Sequence, residues 1–165
     1  MERISDYIDQ INDAEMVLIG IGEEFEQCED RETILGAYNK LHDYIGKKNY
    51  YIVSMCKDSL IYESNNQKSN ISTPLCDGIE GIDLNEKWDL YLNWLTCTLN
   101  RKLLIIELGV SMNMPQVIRW PFEKTIMINN KASMIRVNNN IPNIPAEIKN
   151  KAVGIKESAI DFIVG

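Results

Sequence analysis

The sequence predicts an α/β fold with three layers, in which helices cover both faces of a mostly parallel, Rossmann-like β-sheet. Short apolar runs of strand length alternate along the chain with segments whose apolar residues recur at helical spacing. Some of the runs stop at glycine, as Leu103–Leu108 does at Gly109, which is typical of a strand buried on both faces. No linker is long enough to divide the chain, so residues 1–165 are expected to form one domain.

The first half of the chain predicts helices and strands in alternation. Apolar residues at helical spacing predict an amphipathic helix over Met1–Asp13. The apolar run Met16–Ile19 predicts a strand that ends in a tight loop at Gly20-Ile21-Gly22. The next predicted elements are a helix over Thr33–Tyr44, a strand over Tyr50–Val53, a short helix that opens at Leu60 and a short strand over Ile71–Pro74.

The second half continues this alternation. An apolar helix is predicted over Lys87–Asn100, and the buried strand Leu103–Leu108 follows it. Gln116–Trp120 predicts a short helix or turn limited by a proline on each side. The remaining predicted elements are strands over Thr125–Ile128 and Met134–Val137, a helix over Ala146–Lys151 and a closing helix over Lys156–Val164.

The charge and the hydropathy pattern argue against several classes of function. A net charge of −7 argues against non-specific binding to nucleic acid and against binding to an anionic membrane surface, because both functions need a basic face on the protein. The N-terminal segment is charged and no apolar run approaches the ~20 residues of a membrane span, so a cytoplasmic protein without a signal peptide is expected. A homo-oligomer or a protein partner stays open, and the acidic stretch Glu23–Asp30 is either a partner site or a solvated loop.

The cysteines and the histidine predict no metal site. Cys28, Cys56, Cys76 and Cys97 form no CxxC pair, and His42 is the only histidine. In a reducing cytosol the four cysteines are expected to be free thiols. Cys56 is expected to be a buried, inert thiol, because no second histidine or other base supports a nucleophilic role.

Glu107 is an unusual residue within a buried strand. An unpaired buried carboxylate is costly, so Glu107 is expected either to cap a neighbouring group or to face a crevice. Open parallel sheets bind ligands in the crevice beyond the carboxyl ends of their strands. The region that starts at Leu103–Leu108 is therefore where a binding site is expected first.

Three predicted strands end in turns that suit a nucleotide site. Gly20-Ile21-Gly22 is a G-x-G in which glycine allows the backbone to approach a diphosphate, and an ordinary β-turn is the alternative. Gly109-Val110-Ser111 is a second glycine turn, and its serine has a hydroxyl that can donate to a phosphate. Asp58 follows a third strand and either bonds a ribose hydroxyl or accepts from a loop amide.

Two stretches of the second half resemble a known family. Leu103–Lys124 (LLIIELGVSMNMPQVIRWPFEK) is similar to the E-L-G-V-G-x-x-x-P-x-x-I-R-x-P-F stretch of compact bacterial Sir2-like proteins, which are relatives of the sirtuins. Met134–Asn138 resembles the strand that follows in that family. Gly20–Glu24 and Ser54–Asp58 match the sirtuin G-A-G-I-S and T-Q-N-I-D loops more loosely. The resemblance covers nearly the whole chain and implies the DHS-like NAD/FAD-binding form of the Rossmann-like fold.

The resemblance also implies a small-molecule nucleotide, NAD or an ADP-ribose-type compound, as the ligand. In that reading the Gly20–Gly22 turn forms the phosphate loop and the Gly109–Ser111 turn lines the dinucleotide. Asn138 lies near the adenosine ribose, and Asp58 lies on the nicotinamide side. The positions that match the family's binding motifs are Gly20, Ile21, Gly22, Asp58, Gly109, Val110, Ser111 and Asn138.

The positions that perform sirtuin chemistry have changed. Cys56 replaces the asparagine of T-Q-N-I-D, and Glu24 replaces the serine of G-A-G-I-S. Asp77 takes the position of the sirtuin catalytic histidine, which precedes a glycine. The cysteine pairs of the sirtuin zinc module are absent, which argues against protein deacetylation.

Two functional hypotheses follow, beside a purely structural role. The first is a Sir2-like binding module that holds NAD, ADP-ribose or a related nucleotide and has lost its catalysis. The second is an NAD-consuming enzyme, a glycohydrolase or an ADP-ribosyl transferase, with a rearranged site. In the second, Asp77 or Glu107 acts as the base or stabilises an oxocarbenium-like centre, a task that carboxylates perform in glycosidases.

Overall fold

A six-stranded sheet forms the centre of the computed structural model, which describes all 165 residues. Every neighbouring pair of strands is parallel, and helices cover both faces of the sheet. The strands are β1 (Met16–Ile21), β2 (Asn49–Ser54), β3 (Ile71–Ser72), β4 (Leu103–Leu108), β5 (Ser133–Val137) and β6 (Ala152–Ile155). This architecture confirms the predicted three-layer α/β, Rossmann-like fold with a parallel sheet.

Five α-helices form the two outer layers. They are α1 (Ile8–Asp13), α2 (Arg31–Ile45), α3 (Leu84–Thr96), α4 (Arg119–Ile128) and α5 (Ala159–Val164). Helices α1, α2 and α5 contribute to the core on one face of the sheet, and α3 and α4 contribute to the core on the other. Successive residues of β1 alternate between these two cores, as the two-residue period of a strand requires.

The order of the strands across the sheet is β3-β2-β1-β4-β5-β6. The chain builds outward from β1 to the β3 edge, then returns to the middle and places β4 on the free side of β1. The strand order therefore reverses between β1 and β4. In Rossmann-like sheets a ligand crevice opens at this reversal, beyond the carboxyl ends of the two strands.

Helix α4 differs from the prediction in two ways. Thr125–Ile128, predicted as a strand, forms the C-terminal part of this helix. A short apolar run does not distinguish the two structures, and here Phe122 and Ile126 are buried four residues apart on one helical face. Pro121, predicted to limit a helix, lies in the first turn of α4, where its missing N–H breaks no helical hydrogen bond.

The C-terminal region also differs from the prediction. The helix predicted over Ala146–Lys151 is a short 3-10 helix at Ala146–Ile148, and the edge strand β6, which was not predicted, follows it. Strand β6 pairs with β5 alone, and its middle residues are exposed. It therefore lacks the continuous apolar run that identifies a strand buried on both faces.

Candidate functional site

The loops that follow β1 and β4 touch at the strand reversal. The Gly22 amide donates to the Leu108 carbonyl over 2.8 Å, and the Glu24 amide donates to the Gly109 carbonyl over 3.2 Å. A Cβ atom on Gly22 would lie 2.0 Å from the carbonyl oxygen of Gly109. The two backbones are therefore in direct contact, and a ligand has to bind above this contact rather than between the loops.

A cavity of about 170 Å³ lies above this contact, and we call it the central section. Loops from the carboxyl ends of β1, β4 and β5 enclose it, as expected for a crevice at a strand reversal. Its lining is mostly carboxylate, amide and hydroxyl side chains, with one apolar residue. The lining residues are Glu23, Glu24, Gln27, Gly109, Ser111, Asn113, Asn138, Asn139, Asn140 and Ile141.

Two further cavities share walls with the central section. One, of about 280 Å³, shares Glu23 and Asn113 with it and extends to the loop after β2; we call it the β2 section. The other, of about 320 Å³, shares Glu24 and Asn139 with it and extends to the start of α5; we call it the α5 section. The three sections are neighbours along the carboxyl edge of the sheet, and together we call them the groove.

Two carboxylates give the central section an acidic character. The Ser111 hydroxyl donates to Glu23 Oε2, and the Ala159 amide donates to Glu24 Oε1 over 2.8 Å. The Cβ atom of Glu24 lies 2.5 Å from the position that a Cβ on Gly109 would take, so Glu24 covers the glycine turn after β4. A ligand phosphate at this turn would meet two carboxylates, and like charges repel.

Asn138 is buried and fixes the shape of the loop after β5. Its Nδ2 donates to the Val110 carbonyl over 2.8 Å, and its Oδ1 accepts from the Asn140 and Ile141 amides, each over 2.9 Å. The same side chain therefore joins the loops that follow β4 and β5. Asn138 lines the central section, but its polar atoms are already used within the protein.

Glu107 is fully buried, and an ion pair occupies both oxygens of its carboxylate. Arg136 donates to it from Nε over 2.8 Å and from Nη2 over 3.0 Å, and Arg119 Nη1 lies 3.8 Å from the same carboxylate. Arg136 also forms an ion pair with Glu123, in which its Nη1 lies 2.8 Å from Glu123 Oε2. Burial raises the pKa of Glu107, and attraction to Arg136 opposes this rise. Burial lowers the pKa of Arg136, but the attraction and hydrogen bonds to Glu107 and Glu123 together outweigh it and leave that pKa raised.

The same network reaches the backbone of the loops around the groove. Arg119 donates to the Val110 carbonyl over 3.3 Å and to the Ile141 carbonyl over 2.8 Å. Arg136 donates to the Asn143 carbonyl over 2.9 Å. Glu107 thus holds two arginines that fix the loops after β4 and β5, and it lines none of the three groove sections.

The structure brings together only part of the predicted binding residues. Gly109, Ser111 and Asn138 line the central section. Gly22 packs on Gly109, and Val110 accepts the Asn138 hydrogen bond, so both support that lining.

The other predicted positions lie outside the groove lining. Gly20 and Ile21, predicted as loop residues, belong to β1, and a Cβ on Gly20 would lie 2.7 Å from the Phe122 ring. Asp58 is exposed and accepts from the Leu60 amide over 3.0 Å. Asp77 is exposed in the loop after β3.

Several lining residues were not predicted as site residues. Asn113, Asn139 and Asn140 were not singled out, and Glu23 and Glu24 were placed in the acidic stretch Glu23–Asp30, interpreted as a partner site or a solvated loop. One signal in the sequence points to two of them: the run Asn138–Asn140 directly follows the apolar strand Met134–Val137. Polar residues that follow a buried parallel strand are candidates for the ligand crevice.

Cys56 is buried, as predicted, and it lies directly below the β1 loop. Its Sγ lies 3.7 Å from the Gly22 carbonyl, and burial raises the pKa of this thiol to about 12. Because the thiolate is the reactive form, Cys56 is expected to resist iodoacetamide in the native protein at pH 8, while the exposed Cys97 reacts. Mass spectrometry of the alkylated peptides measures both. Equal labelling of the two cysteines would show that Cys56 is accessible.

No helix of the structure is long and apolar enough to cross a bilayer. No family model matches the chain in a comparison with known protein families. A comparison with curated proteins also finds no match.

Proposed function

We propose that the chain binds a nucleotide of the NAD or ADP-ribose type in the groove along the carboxyl edge of the sheet. The observation that carries this proposal is the position of the central section, directly at the strand reversal between β1 and β4. Rossmann-like sheets of this strand order bind dinucleotides at that point. The Sir2-like pattern in Leu103–Lys124 supports the same ligand class, because this stretch contains β4 and the loop that lines the groove.

The size of the groove supports an extended ligand. The β2 and α5 sections each share lining residues with the central section and share none with each other. None of the three sections greatly exceeds the lower limit of typical ligand pockets, roughly 300 Å³, so a dinucleotide has to occupy more than one of them. The polar lining of the central section suits a ribose, and the β2 section adds the apolar side chains Met55, Leu75 and Met114.

The diphosphate fits only in a restricted position. The contact between Gly22 and Gly109 closes the space that a Rossmann-like phosphate loop leaves open, and Glu24 covers the second glycine turn. Lys57, in the β2 section, is the one cationic side chain that lines the groove. In this proposal the phosphates lie on the solvent side of the groove near Lys57.

The geometry gives binding more support than turnover. Asp77 lines no section of the groove, and both oxygens of Glu107 accept from Arg136. Neither carboxylate is placed to act on a ligand in the groove. We therefore propose a binding module, and the NAD-consuming enzyme is the outcome to which turnover would point.

Isothermal titration with NAD and with ADP-ribose tests the proposal. Binding is expected for at least one of them, without release of nicotinamide over several hours. Lys57→Ala is expected to weaken binding, because it removes the cation nearest the proposed phosphates, whereas Lys149→Ala, on an exposed residue outside the groove, leaves the affinity unchanged. A ligand concentration of about 1 mM detects any complex whose standard free energy of binding is more favourable than about −4 kcal/mol. No heat of binding at that concentration would refute the proposal.

A further inference from the structure

The exposed apolar side chains of the protein are concentrated on one face. Six of the eleven large apolar side chains that are exposed to solvent belong to α3, to the turn that follows it or to α4, and we call their surface the α3–α4 face. They are Leu90, Leu92, Leu99, Trp120, Met127 and Ile128. The opposite layer of helices exposes Ile8 and Val164 alone. A concentration of exposed apolar side chains on one face is typical of a surface that binds a partner.

Helix α4 is apolar on both of its sides. Phe122 and Ile126 are buried against the sheet, whereas Trp120, Met127 and Ile128 are 55%, 49% and 60% exposed. The spacing of the exposed three places them on one stripe of the helix, away from the buried pair. A helix that is apolar all round is normally covered on all sides. The outer side of α4 is therefore suited to contact with another apolar surface.

A cleft between α3 and α4 shows how the two helices are aligned along their axes. Its volume is about 180 Å³, and Leu99 lines it from the turn after α3, opposite Ile128 of α4. Because a helix rises about 1.5 Å per residue, Trp120 lies about 12 Å before Ile128 along α4. Leu90 and Leu92 lie at about the same distance before Leu99 along α3, so they are level with Trp120.

The exposed charges of the two helices have opposite signs. Glu86 and Asp89 are exposed on α3, whose one cation, Lys87, is half-buried and donates to the Lys68 carbonyl over 2.6 Å. On α4 the exposed charged residue is Lys124. Neither exposed carboxylate of α3 forms an ion pair within the chain, and Lys124 forms none either. The outer side of α3 is therefore acidic, and that of α4 is basic.

The two helices run in the same direction, because each connects two parallel strands across the same face of the sheet. A two-fold axis that lies on this face, between the helices and parallel to them, keeps their direction and their level. It places α3 of one copy on α4 of a second copy. Trp120 then meets Leu90 and Leu92 of the second copy, and Ile128 meets its Leu99.

We propose that two copies of this chain form a homodimer through the α3–α4 face, in which α3 of each copy packs on α4 of the other. The exposed apolar residues of the face cover one another in this dimer, and Asp89 pairs with Lys124 of the second copy. Symmetry makes every contact occur twice, as in an isologous interface. The homodimer is independent of nucleotide binding, because no residue of α3 or α4 lines the groove.

A second copy is the partner favoured by the charges and by the alignment of the helices. Contact between the two α3 helices would bring carboxylates together, and contact between the two α4 helices would bring lysines together. Contact of α3 with α4 joins opposite charges and leaves the apolar residues at matching levels. The α3–α4 face is thus complementary to itself, which an interface with an unrelated protein does not require.

Sedimentation equilibrium of the natural protein tests for the homodimer. Over about 10 to 300 µM protein, the weight-average mass is expected to rise from that of one chain, 19.0 kDa, towards that of two. Trp120→Ala removes the largest exposed apolar side chain of the face and is expected to weaken the dimer at least about tenfold. Val164→Ala, at an exposed position of the opposite layer, is the matched control and leaves the mass unchanged at every concentration.

A charge swap tests which helices meet. Lys124→Glu and Asp89→Lys each bring like charges together and are expected to weaken the dimer by about threefold to tenfold, since the contact occurs twice. An equimolar mixture of the two variants is expected to recover the affinity, because both contacts of a mixed dimer then join opposite charges. Lys40→Glu, on the exposed side of α2, changes the net charge as Lys124→Glu does and leaves the affinity unchanged.

Three results would overturn the proposed homodimer. A mass of one chain at every concentration would show that a second copy does not cover the face. A dimer that Trp120→Ala leaves intact would use another surface. Failure of the mixture to recover the affinity would show that α3 does not pack on α4 of the second copy. The substituted residues are exposed and line no section of the groove, so none of these results bears on the proposed nucleotide binding.

Discussion

Arg136→Met is expected to lower the free energy of unfolding by about 3–5 kcal/mol. The substitution leaves the Glu107 carboxylate in the core without the two hydrogen bonds, over 2.8 and 3.0 Å, that it now accepts. Arg119, at 3.8 Å, is too far away to replace them. Urea denaturation followed by circular dichroism measures the change. If the loss of unfolding free energy is fully reversed at low pH, the expectation still holds, because protonation of Glu107 removes the buried charge.

Two further variants show whether the loss comes from the buried charge. Arg101→Met removes an exposed arginine whose ion pair with Glu15 spans 3.4 Å, and its expected cost is about 0–1 kcal/mol. In the double variant Glu107→Leu with Arg136→Met, both charges are gone and a large part of the stability is expected to return. If Arg136→Met costs no more than Arg101→Met, Glu107 is not held as described, and a role for it in the groove becomes open again.

Gly22→Ala is expected to destabilise the protein by about 3 kcal/mol and to disrupt the groove. The new Cβ would lie 2.0 Å from the Gly109 carbonyl oxygen and 2.3 Å from the Val110 Cα. Both obstacles are backbone atoms, so rotation of a side chain cannot relieve the clash. The loops after β1 and β4 have to separate instead. The hydrogen bond from the Gly22 amide to Leu108 is strained by the same movement.

Gly36→Ala is the matched control for this change. Gly36 lies within α2, and nothing lies within 4 Å of the Cβ that it would gain. Replacement by alanine is therefore expected to stabilise the protein by roughly 0.5–1 kcal/mol, since glycine costs backbone entropy within a helix. Thermal unfolding of both variants gives the comparison. A Gly22→Ala protein as stable as Gly36→Ala would show that the two loops are not in close contact.

The strands that define the site could be predicted because their signal is local. The apolar runs that become β1, β4 and β5 are buried on both faces, and each is followed by glycine or asparagine. Such runs identify a parallel sheet without any long-range information. A short or mixed apolar run does not fix the boundaries of its element. Thr125–Ile128 is helical because it continues a buried face that starts at Phe122, and only packing against the sheet decides this.

The function of individual glycines could not be read from their pattern. Gly20 and Gly22 form a G-x-G, but Gly20 lies inside β1 and makes room for Phe122 of α4. Gly22 makes room for the Gly109 turn. Each glycine is required by a close approach of a segment about 90–100 residues away in the sequence, and contacts at that separation exist only in the folded chain.

The sequence by itself determined the layers of this protein, the parallel direction of the sheet and the edge at which a ligand is expected, because hydrophobic burial of each strand is encoded within a few residues. Only the tertiary structure decided what the carboxylates do. Glu107, which in sequence was either a cap or a crevice residue, is neutralised by Arg136 from β5 and does not face the groove. Glu23, in sequence part of the acidic stretch Glu23–Asp30, has a buried oxygen without a partner. The difference between these two residues lies in which distant groups the fold places beside them, since electrostatic interactions depend on distance in space and not on separation along the chain.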